Sequence, residues 1–122
     1  MTRQRNDEHS TEFGIWLRNQ AVIDSKLGYV TTNIDYLWQN YKTGDWMLME
    51  EKRYGAKLTY SQTKLFQLLN EACLMNNRYR GFHTIVFEHT SPDDGRMWLD
   101  DKEVTSAELL LFLKDFDLIV AY

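Results

Sequence analysis

Ile34-Asp35-Tyr36-Leu37-Trp38-Gln39-Asn40-Tyr41, the turn Lys42-Thr43-Gly44-Asp45, and Trp46-Met47-Leu48-Met49-Glu50-Glu51-Lys52-Arg53 form the stretch whose reading decides the fold. Both flanking runs are rich in aromatic and large apolar residues, and the loop between them is short. That combination predicts a β-hairpin. Gly44 is the loop residue free to take positive φ. Side chains alternate across a strand, so Trp46, Leu48, Glu50 and Lys52 share one face while Met47, Met49 and Glu51 share the other. Asp35 begins the partner strand. The pattern therefore gathers two acids and one amine at one end of the hairpin.

On the N-terminal side, Tyr29-Val30-Thr31-Thr32 predicts a further extended segment after Gly28. Before that, Phe13, Trp16 and Leu17 are spaced for a helix starting near Ser10. Residues 1–9 are charged and patternless, and are expected to form a flexible arm. On the C-terminal side, Thr59 and Gln62 have capping-box spacing ahead of the stripe Leu65, Leu68, Leu69, Ala72 and Cys73, which predicts a helix ending at Asn76-Asn77. Phe82 to Phe87 predicts a strand, Ser91 to Gly95 a loop, and Met97 to Leu99 a short strand. Thr105 and Glu108 repeat the capping-box spacing before a final helix around Leu109 to Leu113, and Phe116 to Ala121 has the composition of a terminal strand. The expected architecture is α/β, a mixed sheet flanked by helices in the order αβββαβ with a short C-terminal helix, all within one domain over residues 10–122.

Composition narrows the function classes. The chain has 122 residues, is 43% hydrophobic, and carries a net charge of -4. That charge disfavours nucleic-acid binding through bulk attraction, although an enzyme with acidic metal ligands is compatible with it. The one cysteine, Cys73, excludes an internal disulfide and any cysteine-based cluster. No apolar run is long enough for a membrane span, and the polar N-terminus does not read as a secretory signal. The expected location is the cytoplasm of a prokaryotic cell, or of an infected host if the chain is viral.

Carboxylates at Asp35 and Glu50 suit magnesium or manganese, hard cations that take oxygen ligands. Lys52 beside them suits a negative phosphate or an attacking hydroxide. The spacing Asp35, fourteen intervening residues, then Glu50-Glu51-Lys52 across a hairpin resembles the signature of the PD-(D/E)XK nuclease superfamily. That group includes type II restriction enzymes, archaeal Holliday-junction resolvases and phage nucleases. The resemblance covers roughly residues 10–90, and the family core is αβββαβ. Ile34 stands where the Pro of the family name would be. The resemblance implies a magnesium-dependent nuclease acting on DNA, structure-specific for junctions, flaps or ends, and working as a homodimer. It further implies a metal contact from the Glu51 backbone carbonyl, an acidic ligand from the first helix at Glu12, and a catalytic role for Gln62 beside Asp35, Glu50 and Lys52. Arg53 and Lys57 are candidates for phosphate contacts.

Each candidate also has a plainer reading. Glu50 and Lys52 would form a cross-strand ion pair, Glu12 would complement a helix N-terminus, Gln62 would serve the capping box, and Arg53 and Lys57 would be surface charges. His83 and His89 read as structural, Cys73 as a buried small hydrophobe, and Asp24, Asp93-Asp94-Gly95 and Asp100-Asp101 as turn residues. The rival function is a catalytically inactive nuclease fold that binds nucleic acid or regulates. A weaker third is a phage structural or inhibitor protein in which Asp35 and Glu50 do not converge.

Overall fold

The computed structural model describes residues 11–117. The chain falls into two compact units, one reaching to Thr32 and one beginning at Asn33.

The first unit contains α1, Glu12–Arg18, capped by Thr11, whose hydroxyl accepts from the Gly14 amide. Phe13 and Trp16 stack on its surface with ring centroids 6.1 Å apart. Two single 3₁₀ turns follow, Ala21–Ile23 and Ser25–Leu27. Asp24 caps the second by accepting from the Lys26 amide. The strand expected at Tyr29–Thr32 does not form. Its β-branched residues favour an extended backbone, yet β1 has no strand beyond it in the sheet, and propensity without a pairing partner does not make a strand. Two strands, not three, therefore precede the second helix among the described residues.

The second unit is a five-stranded mixed sheet with strands in chain order, β1-β2-β3-β4-β5. The hairpin is β1, Tyr36–Gln39, and β2, Trp46–Lys52, paired antiparallel with Tyr36 opposite Met49 and Gln39 opposite Trp46. Gly44 takes φ 87°, which lets its amide close the loop onto the Asn40 carbonyl at 2.8 Å. Helix α2, Tyr60–Cys73, then crosses over to β3, Tyr79–Phe87, which runs parallel to β2. Parallel neighbours require such a crossover. β4, Met97–Leu99, and β5, Lys102–Glu103, complete the sheet as a second hairpin. β5 carries no alternation because it is two exposed charged residues, so its sequence gives no strand signal. α3, Ser106–Asp115, follows.

Both capping boxes form. Thr59 and Gln62 exchange hydrogen bonds of 3.1 Å each, and Thr105 and Glu108 exchange bonds of 3.1 and 2.9 Å. α2 places Phe66 on Phe82 with centroids 4.5 Å apart, on the even-numbered face of β2 and β3. α3 covers the opposite face. There, Met47 and Met49 from β2, Ile85 and Phe87 from β3, and Met97 and Leu99 from β4 pack with Leu109, Phe112 and Phe116 into one core. Each of three adjacent strands supplies alternate residues, the period-two pattern of a half-covered sheet face. Phe116 ends α3 in the left-handed region and is buried, so the terminal strand expected from Phe116 does not start there; its remainder from Leu118 lies outside the described residues, as does the N-terminal arm.

Candidate functional site

Asp35 is the residue before β1, and the hairpin register carries it to a position opposite Glu50. Each acid accepts a backbone amide across the hairpin. The Asp35 amide donates to Glu50 Oε1 at 3.3 Å, and the Glu51 amide donates to Asp35 Oδ2 at 2.9 Å. Glu50 is only 4% exposed, on the β2 face where Leu48 beside it is also buried. Burial, followed by the charge of Asp35, pushes its carboxyl up to about 7. The Asp35 amide and the charge of Lys52 work in the other direction and do not overcome it. Lys52, two residues along the same strand, shares that face. In the parallel register Thr84 is beside Glu50, and Val86 is beside Lys52.

The Glu51 side chain points to the opposite face. It accepts from the Tyr36 hydroxyl at 2.8 Å and pairs with Arg53 at 3.2 Å. The hydrogen bond to Glu51 also raises the Tyr36 phenol. Any metal contact from Glu51 therefore has to come from its carbonyl. Its amide points toward the β1 edge at Asp35, and the carbonyl of a strand residue points to the same edge as its amide.

The remaining candidates of this unit do not gather at this point. Gln62 turns its side-chain oxygen back to the Thr59 amide as the capping box requires. Arg53 is exposed and engaged by Glu51, and Lys57 is exposed in the loop that follows β2. Glu12 is the first residue of α1, in the other unit. Among the described residues no group of three or more His, Cys, Asp or Glu side chains is arranged to hold a metal ion. The side-chain donors brought together are thus two carboxylates.

Two features lay beyond sequence reasoning. His83 is buried and bonded at both ring nitrogens, Nδ1 to Asp100 Oδ2 and Nε2 to the Arg80 carbonyl, each at 2.7 Å. Asp100 is seventeen positions away, across the β3–β4 connection, so no local pattern links the two residues. The second is a groove of about 240 Å³ on the Lys52 face, floored by Val86 and Trp98. The alternation in Met97-Trp98-Leu99 was the available signal that Trp98 faces away from the core. A separate apolar groove of about 300 Å³ lies on the α3 face between Met49, Ile85, Leu109 and Leu113, and the Asp35–Glu50 pair does not line it.

Comparison with known proteins adds no relative: no family model, curated protein or solved structure matches this chain. Among the described residues no helix is long and apolar enough to cross a membrane.

Proposed function

We propose that the chain is a metal-dependent nuclease that hydrolyses DNA phosphodiester bonds at Asp35, Glu50 and Lys52. The observation that carries this reading is the convergence of Asp35 and Glu50 across the β1–β2 hairpin, on the face that also bears Lys52. An ordinary ion pair at a strand end does not explain a second carboxylate held against a buried one.

The donor set fits magnesium or manganese. It is all oxygen, combining two carboxylates with the Glu51 carbonyl, and magnesium characteristically uses one or two protein carboxylates and keeps several waters. When bound, the ion supplies Lewis acidity toward water and phosphate oxygen. The chain's own groups do the rest. Asp35 and Glu50 hold the charge, their carboxylates fixed by the Glu51 and Asp35 amides respectively. Lys52 repels a cation, so its place here is explained by a negative partner, and its ammonium orients the phosphate and offsets the charge that develops on it. Tyr36 and Arg53 pin the Glu51 side chain from the other face, which steadies the strand end bearing the acids. Glu12 as a further ligand, action on junctions, flaps or ends, and a homodimeric state follow from the family resemblance alone.

The test is cleavage of junction, flap, linear duplex and single-stranded DNA with magnesium or manganese, beside calorimetric metal affinity. Wild type is expected to cleave at least one substrate, and Asp35→Asn to lose both cleavage and metal binding while remaining folded. Absence of cleavage on every substrate, with metal binding absent too, would replace the nuclease by the catalytically inactive binding module.

A further inference from the structure

The face that carries Glu50 and Lys52 continues across two more strands. Lys52 is beside Val86 on β3, and Val86 is opposite Trp98 on β4. Because directly paired residues put their side chains on the same face, Lys52, Val86 and Trp98 form one row. With neighbouring strands roughly 4.8 Å apart, the row runs about 10 Å outward from Lys52. Above it, the loop after β2 turns back across the end of β3. The Tyr54 amide bonds the His89 carbonyl and the Gly55 amide bonds the Phe87 carbonyl, each at 3.0 Å. Gly55, Ala56 and Lys57 therefore form one wall of the groove, Val86 and Trp98 its floor, and Asp101 the far rim.

Trp98 is braced. The Arg96 guanidinium lies 5.1 Å from the centroid of its ring system, and Arg96 is itself held by two bonds to Glu103, of 3.0 and 2.7 Å. Glu103 is the β5 partner of Trp98. The indole is thus clasped by its own hairpin while still lining open space. A flat aromatic surface, an aliphatic floor, a cationic rim at Lys57 and a carboxylate acceptor at Asp101 match the stacking face, edge and phosphate of one nucleotide.

We infer that this groove is a nucleobase subsite: it takes one unpaired base of a single strand, stacked on Trp98, with the strand's phosphates running past Lys57 toward Lys52. The inference rests on the nuclease reading for its direction along the row, but the binding it describes is separable from cleavage. A base inside a duplex has both faces stacked and its pairing edge occupied, so it does not enter a groove of this size. The occupant is therefore a single-stranded segment, as at a flap or a frayed end. Lys57 on the groove wall and Lys52 beside Val86 supply the charge complementarity that the chain as a whole, at -4, does not.

The experiment measures binding of a short fluorescein-labelled single-stranded DNA, and of the matching blunt duplex, to the full chain by fluorescence anisotropy in EDTA. Trp98→Ala is expected to weaken single-strand binding by about 5- to 100-fold, the loss of one stacked base, with duplex binding unchanged. Trp98→Phe should restore most of it. Circular dichroism melts check that both variants fold. Should Trp98→Ala not fold, Lys57→Glu, an exposed change, carries the test, with a clear loss of single-strand affinity and a shallower salt dependence expected. Ultraviolet crosslinking of a 5-iodouracil strand is expected to place its adduct on Trp98. Single-strand affinity unchanged in Trp98→Ala or Lys57→Glu, or an adduct only outside the groove, overturns the subsite. Magnesium affinity and cleavage by wild type are measured alongside. If both are intact and Trp98 is irrelevant, the subsite alone falls; if both are absent and binding still depends on Trp98, the nuclease reading alone falls.

Discussion

Glu50 titrates near neutrality because it is buried beside Asp35, and this fixes the sign of its effect on stability. Its folded value, about 7, is above the ordinary 4.5, so the fold favours the protonated carboxyl. The stabilisation is full below the ordinary value and is lost as pH rises through the folded one. Without metal, Glu50→Gln should therefore be more stable than wild type above neutrality, by on the order of 3 kcal/mol, and converge with it in acid. Added magnesium should raise the wild-type melting temperature and leave the variant unmoved. Equal melts at every pH would mean that the carboxyl is not strained. For Lys52→Ala the expectation is retained or tighter magnesium binding with cleavage reduced by on the order of 10²-fold, read by calorimetry and a cleavage assay. The cluster itself was legible in the sequence, because a short turn and period-two alternation suffice to put Asp35 near Glu50 and Lys52. The depth of Glu50 was not: burial depends on what covers a strand, which Met49-Glu50-Glu51 does not encode. Gln62 illustrates the same limit, since the resemblance implied a catalytic role and the spacing a capping one, and its side chain turns to the cap.

Among the elements, the two capping boxes were the most legible because they are local. Removing either threonine orphans a helix-end amide, so Thr59→Ala or Thr105→Ala should each cost about 1 kcal/mol in chemical denaturation. The strand at Tyr29–Thr32 was misread because pairing, not propensity, decides a strand, and β5 was missed because a two-residue strand has no period. The His83–Asp100 bond ties β3 to the turn between β4 and β5 and sets the imidazole against Phe112 of α3 at 4.8 Å. Burial lowers the pKa of the ring, but the hydrogen bonds to Asp100 and to the Arg80 carbonyl, with the charge of Asp100, outweigh it and leave the net shift upward. Both ring nitrogens face acceptors, as an imidazolium requires. The contribution is therefore full below about pH 6.5, the ordinary imidazole value, and fades as pH rises through the higher folded value. His83→Gln should flatten that part of the stability profile, measured by thermal melts in a buffer series; an unchanged slope would assign it to other groups.

At the scale of the molecule, every buried core residue among the described residues belongs to the unit that begins at Asn33. A chain of residues 33–122 should consequently unfold cooperatively with its β-sheet circular dichroism intact. The α/β class was readable from the alternation of strand and helix signals, whereas the division at Thr32 was not, since Tyr29-Val30-Thr31-Thr32 resembles the strands that follow it. The spatial order of those strands repeats their order in the chain, β1 to β5. Each new strand meets a neighbour that has already emerged, so the sheet can be laid down progressively during synthesis at the ribosome, from the first hairpin outward. No later strand has to be inserted between two earlier ones. The one long loop to close, through α2, is spanned by a self-capped helix, which shortens the chain that has to be ordered before β3 meets β2.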